Sequence, residues 1–136
     1  METFMANKAA TALSNLEAYL KNHDTKFLTE DAVFKNMSTD EDIVGREAIG
    51  EMLNYMYHIA FDAKAVIKNT AATDNNALLE AMFVGKHIGD FAGIPPTGKN
   101  ISVPLCVTYD LNDEGLIERA RIYMMTDILI RQLTID

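Results

Sequence analysis

An α+β fold, with helices first and an antiparallel run of strands after them, is what three features of the chain predict. Apolar residues recur at intervals of three and four in the N-terminal part, they alternate with polar ones in the C-terminal part, and turn-forming clusters divide that alternating part into segments. A sheet with helices over one face leaves a concave surface, where an apolar pocket can form.

The elements follow in order. Met5, Ala9, Ala12, Leu13, Leu16, Tyr19 and Leu20 mark an amphipathic helix from Met5 to Leu20, and Asn22 to Asp24 ends it. Phe27 onward reads as a short helical turn leading into a brief strand, Val33 to Asn36, and Ser38 to Asp42 as an acidic polar loop. Gly45 opens a second helix, carried by Ile49, Met52, Leu53, Met56 and Ile59 to about His58. Ala63 to Asn69, Ala77 to Ile88, Ile101 to Asp110 and Leu116 to Met125 read as strands, separated by Asp74-Asn75-Asn76, Gly93 to Asn100 and Asn112 to Gly115. Asp127 to Leu133 closes the chain as a short helix, with Asp127 suited to its N-cap.

Size and composition restrict the function. At 136 residues the chain is predicted to be one domain, 1–136, able to build a core without disulfides. Twenty acidic against twelve basic side chains give a net charge of −8, and the basic residues do not cluster, which argues against a nucleic-acid partner. A single cysteine, Cys106, suits a reducing compartment, and no apolar run has the length of a membrane span. With no basic segment followed by an apolar one at the N-terminus, the expected setting is cytoplasmic, without membrane contact. His23, His58 and His87 are far apart in sequence, so no metal site and no cofactor are expected. The eight methionines include Met37, Met52, Met56, Met82, Met124 and Met125, which fill an irregular core or line an adaptable cavity.

Gly93-Ile94-Pro95-Pro96-Thr97-Gly98-Lys99 matches the spacing of a phosphate-binding loop. Its two prolines lack the N–H groups such a loop needs, Asn100 replaces the magnesium-binding hydroxyl, and a strand pattern follows where a helix should start. It is not a nucleotide site.

The longer run Gly85-Lys86-His87-Ile88-Gly89-Asp90-Phe91-Ala92-Gly93-Ile94-Pro95-Pro96-Thr97-Gly98-Lys99 resembles a signature of the SnoaL-like polyketide cyclase and ester cyclase family. Gly115-Leu116-Ile117, Arg121 with Tyr123, and Gln132-Leu133 resemble the family's tail, and Asp31 to Phe34 and Gly45 to Ile49 have its look upstream. The resemblance implies a nuclear-transport-factor-2-like fold, a curved antiparallel sheet wrapped by helices into a cone around a central pocket, usually as a homodimer. It also implies a catalytic aspartate where the last strand meets the closing helix. Ten residues after Gly115 and seven before Gln132 both lead to position 125, which is Met125. A thioether cannot act as a general base.

Two readings follow. In one, the protein is a cofactor-independent enzyme of the cyclase, isomerase or dehydratase kind acting on a hydrophobic carbonyl compound, with His87 transferring protons and Tyr123 polarising the carbonyl. In the other, it is a non-catalytic module for a small hydrophobic molecule, or a structural dimer, because Met125 replaces the base. His87 equally suits a structural role, bonded to the backbone of the Gly89 to Gly98 segment. Strand alternation places Leu79, Ala81, Phe83, Gly85 and His87 on one face, and Ile117, Arg119, Arg121, Tyr123 and Met125 on another, unless a bulge intervenes. Met125, Arg121, Phe91, Tyr55, Met56, Tyr19 and Asn36 are the candidate pocket residues. Arg119 and Arg121 sit at a pocket mouth or in surface ion pairs, and Glu80 on a solvated face.

Overall fold

The computed structural model describes residues 2–135, with side chains from residue 8 onward. Helix α1, Glu2–Asn22, buries Ala12, Leu16 and Tyr19 on one stripe; Met5, expected on that stripe, has its side chain outside the described residues. Strands β1 (Leu28–Asn36) and β2 (Glu41–Val44) form a hairpin, helix α2 (Arg46–Asn54) follows, and β3 (Phe61–Ala72), β4 (Asn76–His87), β5 (Asn100–Leu111) and β6 (Ile117–Met124) lead to a closing helix, α3 (Thr126–Thr134).

The six strands make one open sheet in the order β2-β1-β6-β5-β4-β3. All neighbours run antiparallel except β1 and β6, which are parallel, so the sheet is mixed rather than wholly antiparallel. The α+β class and the helix-then-sheet order are as the chain predicts.

Four local expectations are corrected. The helical turn expected from Phe27 is a strand: only Thr25–Phe27 forms a 3-10 turn, with Asp24 accepting from the Lys26 N–H, and β1 starts at Leu28 because Leu28, Ala32 and Phe34 face the core. The loop expected over Ser38 to Asp42 becomes β2 from Glu41, its polar residues fitting an exposed edge strand. Helix α2 ends at Asn54 and passes into a π turn, Tyr55–Ile59, in which the Ala60 N–H reaches back to the Tyr55 carbonyl at 2.7 Å. Asp127 is not the cap of α3; Met125 holds that position, and Asp127 lies in the first turn, 3.6 Å from Arg131.

The apolar side chains form two clusters. One gathers Leu16, Tyr19, Leu28, Phe34, Ile49 and Tyr109 between α1, α2 and the sheet. The other gathers Phe61, Phe83, Ile101, Val103, Leu129 and Leu133 beside α3.

A bulge decides which side of β6 meets these clusters. Leu111 pairs with Ile117, but Asp110 pairs with Arg119, so Glu118 is the extra residue. Beyond it Ala120 is buried and Ile122 and Met124 turn inward, while Arg119, Arg121 and Tyr123 turn outward. The expected face of Ile117, Arg119, Arg121, Tyr123 and Met125 is therefore corrected. On β4 the expected alternation is the observed one, with Leu79, Ala81, Phe83 and His87 buried.

Candidate functional site

Between the two clusters lies a cavity of about 360 Å³. Its walls come from the concave face of the sheet (Phe34, Leu79, Phe83, Leu105, Val107, Ile122), from the end of α1 (Tyr19, His23) and from α2 with its π turn (Met52, Leu53, Tyr55, Met56, Tyr57). The π turn brings three consecutive side chains, Tyr55, Met56 and Tyr57, to one wall. Phe91 and Ala92 of the loop after β4 close another side, and Asn36, Thr39 and Thr126 supply polar edges. Of the residues expected in a pocket, the structure brings Tyr19, Asn36, Tyr55, Met56 and Phe91 together here.

The other expected site residues stand elsewhere. Tyr123 and Met125 are 45% and 47% exposed and do not line the cavity. Arg121 lies on the outer face, where its guanidinium makes two contacts to the Asp110 carboxylate at 3.0 and 3.3 Å. That hydrogen bond, together with the negative charge of Asp110, raises the Arg121 pKa above its ordinary value. Neither residue lines the cavity. Because Met125 is half exposed, outside the lining and at the N-cap of α3, where an aspartate can accept from the first-turn N–H groups, Met125→Asp is expected to raise stability by about 0.5–1 kcal/mol. A urea-denaturation midpoint measured for both proteins checks this, and a large loss would mean that Met125 packs inward.

His87 is fully buried, at 0% exposure, and its contacts are structural. The Thr97 N–H donates to His87 Nδ1 at 3.1 Å, and the Thr97 hydroxyl lies 3.0 Å from the same nitrogen. An accepting Nδ1 places the ring proton on Nε2, which is buried without a partner. The His87 N–H donates to the Lys99 carbonyl and the Gly98 N–H to the His87 carbonyl, so this residue clamps both ends of the loop. Lys99 Nζ in turn reaches the Leu133 and Ile135 carbonyls at the end of α3, at 3.4 and 3.2 Å. Gln132 exchanges two bonds with the backbone of Ser102, extending β5 where β6 has ended. The Pro-Pro-Thr-Gly-Lys run and the Gln-Leu tail thus fasten the loop, the sheet and α3 to one another.

His23, like Tyr57 and Tyr109, is a wall residue that sequence reasoning missed. It follows the last turn of α1 with φ of 54°, a left-handed conformation in which glycine or asparagine is usual and other residues cost roughly 1 kcal/mol. Its ring packs against Tyr57 at 4.6 Å and Tyr19 at 5.3 Å between centroids. Burial, and secondarily the charge of His58, pushes its pKa down to about 4. Burial likewise pushes Tyr57 up to about 12 and raises Tyr19 and Tyr109 further. At neutral pH the imidazole is neutral and the three phenols are protonated. Among the described residues no Asp, Glu, Lys or Arg lines the cavity, so its wall carries no charge. Its position as a turn residue was the only sequence signal for His23, and that signal pointed to a helix end rather than a site.

The sequence of residues 10–133 matches the family model described as SnoaL-like polyketide cyclase. The chain belongs to this family. Among solved structures, a SnoaL-like polyketide cyclase from Jannaschia sp. CCS1 superposes with a TM-score of 0.84 at 16% identity, covering 94% of each chain. A polyketide cyclase from Xanthomonas campestris gives 0.82 at 20% identity, covering 93% of this chain and 99% of that one. A phenazine biosynthesis-related protein from Pseudomonas aeruginosa also gives 0.82 at 20% identity, covering 100% of this chain and 93% of that one. At these identities the likeness is one of fold. No curated protein matches this SnoaL-like chain. Among its described residues no three His, Cys, Asp or Glu side chains gather where they could hold a metal ion, and no helix is long and apolar enough to cross a membrane.

Proposed function

We propose that this SnoaL-like protein is a binding module for a small, uncharged, largely apolar molecule. The observation that carries the reading is the uncharged wall: an apolar cavity with neutral phenols and a neutral imidazole, and no carboxylate among its described lining residues. A charged ligand entering it loses hydration with no opposite charge to offset the loss. Keeping such a space open forfeits packing worth on the order of 24 cal/mol per Å³, which argues that it serves an occupant. A volume of about 360 Å³ lies at the small end of ligand cavities and suits one or two fused rings. Function as a homodimer is part of the same proposal and rests on the family resemblance.

A second reading, cofactor-independent proton transfer on a hydrophobic carbonyl compound, draws its support from the protonated phenols, which can donate to a carbonyl oxygen. His87 and Tyr123 are poor carriers of that chemistry. The first is tied to Thr97 and the second faces away from the cavity. The binding reading is therefore preferred.

Naphthalene is a suitable probe. It is expected to bind the wild type, and Leu105→Trp, which projects an indole into the cavity, is expected to weaken that binding at least about tenfold, or about 1.4 kcal/mol. Titration calorimetry on both proteins, with thermal melts to show that the variant is folded, makes the comparison. A wild type that binds no naphthalene, or a folded variant that binds it equally well, removes the reading.

A further inference from the structure

The cavity has two polar regions, and they differ in what their groups already do. At one edge, Asn36 Oδ1 accepts from the Ser38 N–H, Thr39 Oγ1 accepts from the Glu41 N–H, and the Thr126 hydroxyl contacts Ser38 Oγ and the Met124 carbonyl. Those groups hold turns together. At the other end stand His23, Tyr19, Tyr57 and Tyr109, whose ring nitrogens and hydroxyls hydrogen-bond to none of the described residues. Tyr19 and Tyr109 are only 1% and 3% exposed, so they have scarcely any surface on which to meet bulk water. A polar group in apolar surroundings is ordinarily paired, and four on one cavity wall without a partner among the described residues need an explanation.

We propose that this end of the cavity recognises a single hydroxyl group on an otherwise apolar ligand, a neutral phenol or alcohol, with His23 as the residue that accepts its proton in a hydrogen bond. The proposal rests on the binding reading given above and adds the chemistry of the recognised group. A neutral imidazole has one donor and one acceptor nitrogen, and His23 borders two spaces. One is the main cavity. The other is a smaller pocket of about 130 Å³ lined also by Asn22, Asn54 and His58. The ring can therefore serve the ligand with one nitrogen while the other faces a polar, more open space. Its backbone conformation supports the same assignment: the site would be more easily filled by glycine, and the imidazole is held there against that preference.

The test compares 1-naphthol with naphthalene, two probes of nearly equal size that differ by one hydroxyl. Wild type is expected to bind 1-naphthol about five- to tenfold more tightly, the ratio that one net hydrogen bond supplies. His23→Gly suits the left-handed backbone, so it should fold, and it is expected to bring the ratio to about one, the ratio being the readout because both probes lose the ring's packing alike. His23→Asn, which tolerates the same backbone and keeps a carbonyl acceptor, is expected to retain part of the preference. The imidazole ¹⁵N resonances of His23 should move with 1-naphthol and remain in place with naphthalene, a response that a purely structural histidine would not give. Equal binding of the two probes by wild type, or an undiminished ratio in His23→Gly, overturns the assignment and leaves the binding reading standing. If neither probe binds wild type, the binding reading falls and the assignment falls with it.

Discussion

Gly85→Ala is expected to cost about 3–5 kcal/mol and to leave little folded protein at physiological temperature. Gly85 sits in β4 directly opposite Ala63 of β3. A Cβ built there falls 2.2 Å from the Asp62 carbonyl oxygen and 2.6 Å from the Ala63 Cα. Both obstacles are backbone atoms of a paired strand, so relief requires moving β3 rather than turning a side chain. The disturbance would fall two residues before His87, where the sheet hands over to the clamped loop. Gly93→Ala is the matching control: its φ of 78° disfavours alanine, but nothing lies within 4 Å of the new methyl group. That substitution should cost only about 1 kcal/mol. Urea-denaturation midpoints of both variants against wild type would decide the matter, and equal, small losses would mean that β3 and β4 are less tightly held than their register implies.

Mild acid is expected to weaken the fold through His23. The folded-state pKa lies near 4 and the ordinary value is 6.5, so between these the unfolded chain binds a proton that the folded chain does not. Stability from this residue is complete above about pH 6.5, declines as the pH falls through that window, and falls no further below about pH 4. The full amount is about 2–3 kcal/mol. Its neighbours sharpen the effect: Tyr19 of α1 and Tyr57 of the π turn are neutral throughout and offer an imidazolium no counter-charge, and the charge of His58 opposes one beside it. The carboxylates contribute their own acid dependence, so the measurement is a difference. Unfolding free energies at pH 7 and pH 4.5, for wild type and for His23→Asn, should show a smaller loss in the variant by most of that amount. Parallel losses in the two proteins would mean that the His23 ring protonates freely in the folded state.

Much of the architecture was legible because long elements repeat their period many times. The stripe from Ala9 to Leu20 could only be an amphipathic helix, and the alternation from Ala77 through Phe83 gave the inward face of β4 correctly. Short or irregular elements lack that redundancy. The four residues of β2, two acidic and then two apolar, carry no alternation, and the single extra residue Glu118 reversed the face of every residue after it on β6. The site followed the same division. Tyr19 and Phe91 lie on a strongly patterned helix and a recognisable loop, and Asn36 on the part of β1 that reads as strand. Tyr55 and Met56 lie just past α2, where the π turn keeps them on the wall, and all five meet at the cavity. Arg121, Tyr123 and Met125 lie beyond the bulge, and no spacing rule could register it. His23 was hidden for a different reason, since a histidine among turn residues has no periodicity at all.

The parallel pairing of β1 with β6 also sets an order in which this chain can be completed. Val33 pairs with Arg119, 86 residues further along. Until that partner has been synthesised, β1 has only β2 beside it, and a lone two-stranded hairpin is marginal in water. At roughly 5–20 residues per second, translation leaves the N-terminal strands waiting on the order of ten seconds. Leu28, Ala32 and Phe34, all sealed in the finished molecule, have no sheet to join during that interval. The newborn protein therefore passes through a stage in which its first third depends on shelter from its surroundings, and only the final strand ends that dependence.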